Sequence, residues 1–420
     1  MATAVVIGAG VVGIAVASWL QQDGHQVVIV DPEPPGSGAS SGNAGCFSPG
    51  SIVPISGPGV LRQVPRWLIH PAGPLAIRLR HLPSAATWLW RFLRAGTASG
   101  VEHQAAALAQ LLAPAQACLA AMLRDAGAEG LVRHQGSLIA YHTSAGWDAA
   151  QPGLALRRRN GIEWTELGPD ELRRFDPALS PRLHRGVFLP GNFHTIDPQA
   201  LVRRLAAAVI GRGGRILAAR ATDFTLQGER LRAVETSEGP VAAEVAVLAA
   251  GAHSGALARA LGDRVPLESE RGYHLDLVAP GVMPLVPTLS AEGRFVVTPM
   301  AGRTRLTGVV ELAGLRAVPD WRRAHALLPL ARTLFPGLPM GGGEVWMGHR
   351  PSTPDSLPVI GRSRRSPDVF HAFGHGHLGL TGAPSTGRMV ADLVAGRVPF
   401  MNPSPFAPSR FSRASWPSDE

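Results

Sequence analysis

Residues 2 to 31 read ATAVVIGAGVVGIAVASWLQQDGHQVVIVD, and this stretch decides the fold of the chain. An apolar run breaks at a glycine-rich turn, a helical pattern follows to about residue 22, and a second apolar run ends on Asp31. Strand, glycine turn, helix, strand and then an acid are the layout of a dinucleotide-binding βαβ unit. The sequence therefore predicts an α/β protein that binds a dinucleotide at this turn.

Three glycines and one acid have separate physical roles in such a unit. Gly8 permits the tight turn, Gly10 lets the backbone approach a pyrophosphate, and Gly13 allows the helix to pack closely on the strand. The helix N-terminus offers N–H groups and the positive end of its dipole to the phosphates. Asp31 can accept hydrogen bonds from a ribose. An incidental glycine-rich turn is the alternative interpretation.

The composition excludes several classes of function. The chain has 420 residues, of which 45% are hydrophobic and 17% are charged, so the length suits two or three domains with little disorder. All 40 basic residues are arginine, because the chain contains no lysine. Lysine Schiff-base chemistry and a P-loop are therefore excluded. The net charge of +9 accompanies a composition rich in Ala, Gly, Pro and Arg, which indicates coding bias rather than a nucleic-acid partner.

The cysteines and the apolar runs indicate a compartment. Cys46 and Cys118 are far apart, which favours a reducing compartment over a disulfide framework. No CxxC spacing is present, so we expect no metal site. We find no basic leader and no apolar run of about twenty residues, which a membrane-spanning helix needs. A soluble cytoplasmic protein is the expectation.

Two stretches after the βαβ unit have open interpretations. Residues 32 to 54 are rich in Gly, Ser and Pro and predict a loop whose Ser40, Ser41 and Asn43 contact phosphate or ring; a solvated linker is the alternative. Residues 61 to 96 interleave arginines with Trp67 and Trp88. They form either an amphipathic segment at a membrane surface or helices that pack tryptophan inward. Peripheral contact with the inner face of a bacterial membrane therefore stays open.

The rest of the chain contains further predicted elements, which include a second glycine loop. We predict helices over 102–126, 198–210 and 321–335, strands over 245–249, 266–277 and 294–310, a turn-rich stretch over 344–361 and a loose tail over 401–420. From residue 371 the chain reads HAFGHGHLGLTGAPSTGRMVADLVAG, which predicts a strand, a glycine-rich loop and a helix capped by Ser385 or Thr386. This loop would place a second helix N-terminus near the cofactor.

Four stretches resemble the FAD-dependent oxidoreductases of the D-amino-acid oxidase superfamily, and within it the bacterial D-amino-acid dehydrogenases. They are VVIGAGVVGIAVA from Val5, SSGNAGCFSPG from Ser40, GHRPSTPDSLPVIG from Gly348 and GHGHLGLTGAPSTGRMVADLVAG from Gly374. Residues 64 to 93 are also similar to a subgroup that includes cis-4-hydroxy-D-proline dehydrogenases.

The resemblance implies two domains and a set of cofactor contacts. A discontinuous Rossmann-like FAD-binding domain would take residues 1–55, 190–255 and 345–400, and a mainly antiparallel α+β substrate domain would take 56–189 and 256–344. The implied FAD contacts are Gly8, Gly10, Val11, Val12, Gly13 and Asp31 for the ADP half, Ser40, Ser41, Asn43 and Ala44 along the pyrophosphate and ring, Ala221 at the adenine, Gly251 near the pyrophosphate, and Gly376, Leu378, Gly379 and Thr381 at the isoalloxazine.

Oxidation of an amino acid at Cα sets the demands on the remaining residues. A hydride moves to the flavin from a substrate whose amine is neutral, so the protein must hold the substrate carboxylate in place. Arginine does this with a bidentate fork, and the resemblance points to Arg350. It also implies an active-site aromatic at Tyr273, for which a core tyrosine is the alternative. His377 is a candidate base, although a structural histidine is the more common case.

Several functions stay open at this level. The predicted activity is FAD-dependent oxidation of a D-amino acid to an imino acid, and then to a 2-oxo acid and ammonia. The alternatives are oxidation of D-proline, cis-4-hydroxy-D-proline, sarcosine or glycine, a nicotinamide dehydrogenase, and a non-catalytic flavin-binding subunit of a larger complex. By family analogy, the electron acceptor is a quinone or an artificial dye.

Overall fold

The first βαβ unit forms as the glycine pattern predicts. In the computed structural model, which describes residues 2 to 57, 73 and 75 to 412, β1 (Thr3–Ile7) and β2 (Gln26–Val30) are parallel neighbours joined by α1 (Val11–Gln22). A Cβ on Gly8, whose φ is +116°, would lie 2.5 Å from the Ala249 carbonyl oxygen. A Cβ on Gly13 would lie 1.9 Å from the Gly8 carbonyl oxygen. Both positions therefore require glycine for the helix and strands to approach this closely.

A six-stranded sheet extends this unit within the described residues. Its order is β10-β2-β1-β14-β21-β20, and all neighbours are parallel except the last pair. The added strands are β10 (Arg215–Leu217), β14 (Val245–Leu248), β20 (Val359–Arg362) and β21 (Val369–Phe373). Val6 faces the helices on one side and Val5 faces a three-stranded sheet on the other. This alternation buries both faces, as a doubly wound sheet requires.

A second, larger sheet faces the first across the molecule. Its order is β19-β15-β18-β17-β16-β6-β8-β7, with β4 pairing β18, and most neighbours are antiparallel. Its strands are β4 (Leu75–Ile77), β6 (Ser137–Tyr141), β7 (Thr165–Leu167), β8 (Arg185–Leu189), β15 (Glu268–Val278), β16 (Thr288–Ser290), β17 (Phe295–Met300), β18 (Arg303–Leu312) and β19 (Glu344–Ser352). The predicted fold class is confirmed: a Rossmann-like α/β part and a mainly antiparallel α+β part.

The remaining described elements connect and cover these sheets. The helices after α1 are α2 (Leu82–Ala95), α3 (Ala98–Leu112), α4 (Ala115–Ala126), α5 (Ser144–Arg159), α6 (Pro169–Phe175), α7 (Pro198–Gly211), α8 (Ser254–Ala260), α9 (Arg322–His325), α10 (Leu327–Leu334) and α11 (Gly379–Val394). One small three-stranded sheet contains β3 (Cys46–Phe47), β5 (Val132–Arg133) and β9 (Phe193–Thr195). A second contains β11 (Ala221–Gln227), β12 (Arg230–Thr236) and β13 (Val241–Ala242). The Asp197 side chain caps α7, since it accepts a hydrogen bond from the Ala200 N–H at 2.9 Å.

The structure corrects the secondary structure predicted for residues 344 to 361, while the predicted domain boundaries stay predictions. Residues 344 to 352 belong to the stretch over 344–361 that the sequence predicts to be turn-rich, but they form β19 and pair with β15 along nine residues. The prediction was wrong because glycine, proline and polar residues hide a strand whose partner lies far away in sequence. Helices α3 and α4, assigned to the substrate domain, contribute Leu108, Leu111 and Leu119 to the core around α1 and α11.

Two predictions about the helical end of the chain were also wrong. Helix α11 begins at Gly379, so Ser385 and Thr386 are buried inside it and cap nothing. Residues 401 to 412 are not a loose tail: they form two 3₁₀ turns that bury Phe406 and Phe411. The rest of the predicted tail, residues 413 to 420, lies outside the described residues.

The predicted membrane-surface segment is described only in part. Trp67 lies outside the described residues, Trp88 is buried with its indole N–H donated to the Ser352 carbonyl at 3.1 Å, and Trp90 is exposed. By length and composition alone, Ala98–Ala126 is apolar enough to cross a membrane. Half of it is buried, and it breaks into α3 and α4 at Pro114, so it packs here as core helices do.

Candidate active site

A cavity of about 1690 Å³ lies between the two large sheets. The glycine turn, with Gly8 and Gly10, lines one end, and Arg350 and His377 line another part. The volume exceeds the roughly 300–1,000 Å³ of ordinary small-molecule pockets. The cavity therefore has room for a dinucleotide and a small substrate together.

Side chains shape the nucleotide end of this cavity. Asp31 accepts hydrogen bonds from the Ala9 N–H at 2.7 Å and the Glu33 N–H at 2.9 Å. The Ser40 hydroxyl accepts one from the Val11 N–H, the first of α1, at 3.0 Å. Gly10 is the N-cap residue of α1 and lines the cavity, so the positive end of the helix dipole faces the space where phosphates would lie.

The loop after Asp31 is held by its own side chains. The Asn43 amide donates to the Ser40 carbonyl at 2.9 Å and accepts from the Gly45 N–H at 2.8 Å. Asn43 and Ala44 line the cavity. The Ser41 hydroxyl instead donates to the Gly38 carbonyl at 3.0 Å, and Ser41 does not line the cavity. The structure therefore does not place Ser41 among the cofactor contacts.

The remaining predicted cofactor residues converge from distant parts of the sequence. Those that line the cavity are Val11, Val12, Ala221, Gly251, Gly376, Leu378, Gly379 and Thr381. Gly13 lies behind the turn, where it packs α1 on β1. These positions fit FAD: a glycine cradle and a helix N-terminus for the pyrophosphate, an acid for the ribose, and a second glycine loop further along the cavity. Their contacts with FAD stay a prediction.

Arg350 stands on β19 with its guanidinium packed flat on Gly272 of β15. A Cβ on Gly272 would lie 2.3 Å from Arg350 Nη2, so only glycine leaves this space. Arg350 Nη1 donates to the Val309 carbonyl at 3.3 Å. Among the described residues, no carboxylate lies within ion-pair distance of this guanidinium, although Glu270 is near enough to favour its charged form. Burial lowers the pKa of Arg350, so an anionic ligand would relieve a charge that has little compensation.

Val309 holds an unusual backbone conformation beside Arg350. Its φ is +49°, which is rare for a β-branched residue. It occupies an irregularity in the pairing of β15 with β18, where the register shifts between Arg271 and Tyr273. The bulge turns the Val309 carbonyl toward Arg350. Such strain costs on the order of 1–3 kcal/mol and is common at ligand sites.

Tyr273 lies on the wrong side of β15 for the predicted role. Side chains alternate along a strand, so Tyr273 points away from the face on which Gly272 meets the cavity. It is fully buried, and its hydroxyl donates to Glu311 Oε2 at 2.6 Å and accepts from the Asp320 N–H at 3.1 Å. This position fits the alternative interpretation of Tyr273 as a core residue, and its active-site role stays a prediction.

Three histidines in the cavity wall are neutral at physiological pH. The side chain of His377 is exposed to the open cavity, and desolvation by the cavity wall and the charge of Arg350 lower its pKa to about 4. Burial and the charge of Arg271 lower the pKa of His349 to about 4, and its Nδ1 pairs with the Ser269 hydroxyl at 2.7 Å. Burial lowers the pKa of His375 to about 3. A role for His377 as a base stays a prediction, and an imidazole of such low pKa is a weak base.

Sequence reasoning missed three residues of this wall. Glu270 lies beside Arg350, and Trp346 stacks on His274 with ring centroids 5.1 Å apart. Trp346 fills the space that a Cβ on Gly42 would need, at 2.2 Å, and so ties the loop of residues 32 to 54 to β19. Trp88 closes the cavity from α2. The alternation in ESERGYH, which places Glu270 and Gly272 on one face, was the available signal.

Metal chemistry has no visible support in this site. No group of three or more His, Cys, Asp or Glu side chains could hold a metal ion in the part of the chain that the structure describes. Cys46 lines the cavity, and burial raises the pKa of its thiol to about 12, which disfavours the nucleophilic thiolate at neutral pH.

Comparisons with known proteins agree with this geometry. Residues 3 to 393 match the family described as FAD-dependent oxidoreductases. The chain is 40% identical over 413 residues to a D-amino-acid oxidase of Bradyrhizobium diazoefficiens, covering 97% of this chain and 98% of that protein. The structure of glycine oxidase from Geobacillus kaustophilus matches with a TM-score of 0.75 at 23% identity, covering 98% of this chain and 99% of that one. That of L-proline dehydrogenase from P. horikoshii matches with a TM-score of 0.74 at 17% identity, covering 99% of each.

The two solved structures support the fold alone, because their identity to this chain is low. The family match and the curated relative extend over nearly the whole chain. Together with the glycine turn and the cavity, they decide the class of the protein and its cofactor. The chain belongs to the family of FAD-dependent oxidoreductases.

Proposed function

We propose that this enzyme oxidises D-amino acids at Cα to imino acids, which water converts to 2-oxo acids and ammonia. The observation that carries the proposal is the Arg350 guanidinium, which faces the cavity with no carboxylate in ion-pair distance among the described residues. A substrate carboxylate would complete this charge with two parallel hydrogen bonds. FAD, when bound, accepts the hydride that leaves Cα.

The surroundings of Arg350 suit a substrate held in one orientation. Gly272 supports the flat face of the guanidinium, and the Val309 carbonyl fixes one of its nitrogens at 3.3 Å. A planar fork held in this way pre-orients a carboxylate before reaction, which reduces the entropy lost in the oxidation step. The neutral imidazoles of His349 and His377 add no competing charge at neutral pH.

The D-configuration rests on similarity. The curated relative at 40% identity carries the name D-amino-acid oxidase, and no distance in the cavity distinguishes one configuration from the other. Glycine, sarcosine, D-proline, L-proline and cis-4-hydroxy-D-proline therefore belong in the same substrate panel. All of them carry the carboxylate that Arg350 would bind.

The experiment is an anaerobic reduction screen. Purified protein reconstituted with FAD is mixed with each D- and L-amino acid, and bleaching of the flavin absorbance is followed. We expect fast bleaching by at least one D-amino acid and much slower bleaching by its L-enantiomer. A colourless protein that gains no flavin with added FAD would contradict the cofactor assignment. A flavoprotein that no substrate reduces would favour the non-catalytic subunit.

The electron acceptor and location complete the proposal. The resemblance to bacterial dehydrogenases supports a quinone or dye as acceptor, in a cytoplasmic enzyme that contacts the membrane peripherally. Two exposed apolar side chains support that contact: Leu79 before α2, which is 84% exposed, and Trp90 on α2, which is 47% exposed. The tests are oxygen consumption against reduction of a quinone analogue, and partition of the protein between membrane and soluble fractions. Fast oxygen consumption would contradict the proposed quinone or dye acceptor. Recovery of the protein only in the soluble fraction would contradict the proposed membrane contact.

A further inference from the structure

Glu270 lies directly opposite Arg350 in the ladder that joins β15 to β19. Opposite residues on antiparallel strands have Cβ atoms about 4.5–5.5 Å apart and share one face of the sheet. Glu270 is 6% exposed, and it lines the main cavity. The two side chains form no ion pair within 4.0 Å, so the carboxyl and the guanidinium stand side by side at the cavity wall.

A second, much smaller cavity of about 20 Å³ adjoins the main one at Glu270. Ser352, His375 and His377 also line it. The Ser352 hydroxyl is buried and lies close enough to the Glu270 carboxyl to lower the pKa of that group, although no hydrogen bond of normal geometry joins the two side chains. A space of this size with polar walls holds about one water molecule. Glu270 thus stands between the substrate space and a polar niche behind it.

We propose that Glu270 accepts the proton of the substrate ammonium group before Cα is oxidised, an inference that rests on the proposed amino-acid oxidation. One N–H bond of the ammonium breaks and one O–H bond forms on the Glu270 carboxylate, while the electron pair of the broken bond stays on nitrogen. No oxidant takes part in this step. The amine is then neutral, as loss of a hydride from Cα requires, and the niche lies behind the protonated carboxyl.

The charges around Glu270 make its proton affinity depend on the substrate. Burial raises the pKa of Glu270, and the Arg350 charge opposes that rise. A bound substrate carboxylate neutralises Arg350, which removes the opposing effect and raises the pKa of Glu270 further. Binding of the substrate carboxylate to Arg350 therefore makes proton transfer to Glu270 more favourable.

The other groups that face Glu270 do not replace it. Glu268, on the same strand, is held by His81 at 3.1 Å and does not line the cavity. His375 is buried and its pKa is lowered to about 3, so it is a poor proton acceptor. His377 is exposed to the cavity, and the nearby charge of Arg350 helps to lower its pKa to about 4. Among the described residues that line both the main cavity and the niche, Glu270 is the one carboxylate.

The first test follows flavin reduction in the FAD-loaded Glu270→Gln variant, with the best substrate of the panel, from about pH 5 to about pH 10. Without an acceptor only the small fraction of substrate with a neutral amine reacts, so the rate at neutral pH falls by about 100-fold or more. The rate recovers toward wild type above the pKa of the amine. A structural defect would instead lower it at every pH. Glu268→Gln, a matched change two residues away, keeps the wild-type profile.

The second test needs no turnover. Propionate carries a carboxylate and no amine, and its binding to the FAD-loaded enzyme is measured by calorimetry in buffers of different ionisation enthalpy. Wild type takes up protons on binding, because Arg350 is neutralised beside Glu270. Glu270→Gln takes up none, while His377→Asn still takes them up.

Each contrary result has one meaning. A wild-type pH profile in Glu270→Gln, or proton uptake that persists in Glu270→Gln and disappears in His377→Asn, overturns this inference while amino-acid oxidation stands. If no amino acid reduces the wild-type flavin, the proposed function fails and this inference fails with it.

Discussion

The hydroxyl of Thr381, at the start of α11, accepts a hydrogen bond from the backbone N–H of Ser48 at 2.9 Å, across a sequence separation of 333 residues. Thr381 is buried, and its hydroxyl also donates to the Cys46 carbonyl at 3.5 Å. One side chain of the late glycine loop therefore fixes the early loop on the cavity.

We expect Thr381→Val to weaken the contact between the late glycine loop and the early loop at Ser48. The change keeps the shape of the side chain and leaves the half-buried N–H of Ser48 without a partner, which costs on the order of 1 kcal/mol or more. FAD should dissociate faster, measured by the recovery of flavin fluorescence, and the free energy of unfolding in urea should fall. Thr381→Ser keeps the hydroxyl and serves as the control. Equal FAD retention in both variants would show that this contact is unimportant.

Gly272→Ala should displace Arg350 without disturbing the cofactor. The new Cβ would lie 2.3 Å from Arg350 Nη2, so the guanidinium must move away from the backbone of residue 272. We expect KM to rise at least about tenfold, which corresponds to about 1.4 kcal/mol, with unchanged FAD content. Gly191→Ala is the control, because nothing lies within 4 Å of its Cβ position. An unchanged KM would mean that the position of Arg350 does not set substrate affinity.

Arg350→Lys should separate the charge from the planar fork. Lysine keeps a cation but loses the bidentate geometry, and Arg350→Gln loses both. We expect kcat/KM to fall in both variants, most in Arg350→Gln, where truncation of a buried charge pair costs about 2–5 kcal/mol. Arg322→Gln, at a side chain that is 92% exposed, should change nothing. Near-normal kcat/KM in Arg350→Gln is incompatible with a carboxylate clamp.

The buried histidine His375 should make the fold sensitive to acid. Its pKa is lowered to about 3 in the folded protein, against about 6.5 in an unfolded chain. As the pH falls below about 6.5, His375 binds a proton in the unfolded chain but stays neutral in the folded protein. The free energy of unfolding therefore falls by up to about 1.4 kcal/mol per pH unit.

The variant His375→Asn removes this contribution, although it also changes the hydrogen bond to the Thr386 hydroxyl at 2.9 Å. The free energy of unfolding of both proteins is measured by urea titration at several pH values. Because the wild type alone loses the stability that comes from His375, the difference between the two free energies should narrow as the pH falls toward about 4. A gap that stays constant across this range would show that His375 titrates alike in both states.

The sequence was most informative where the physics is local. The roles of Gly8 and Gly13 follow from close approaches within one βαβ unit, and the structure shows both approaches. The position of Asp197 as a helix cap is equally local, because the cap and the N–H that it accepts are three residues apart.

The site was harder to predict, because non-local pairing decides which face of a strand meets the cavity. Tyr273 and Gly272 are neighbours in sequence and lie on opposite faces of β15. The bulge at Val309 has no clear signature, since a β-branched residue is an unusual choice for a positive φ. The pairing of Glu270 with Arg350 depends on a strand that the local sequence does not reveal.

The late position of the second glycine loop bears on how the enzyme matures. A ribosome makes the turn at Gly10 early, but Arg350 and Thr381 leave the exit tunnel only after most of the polypeptide has been synthesised. A nascent chain therefore lacks half of the flavin pocket throughout most of translation. Flavin loading must be a late event, and prematurely terminated products should emerge as apoprotein even when FAD is abundant.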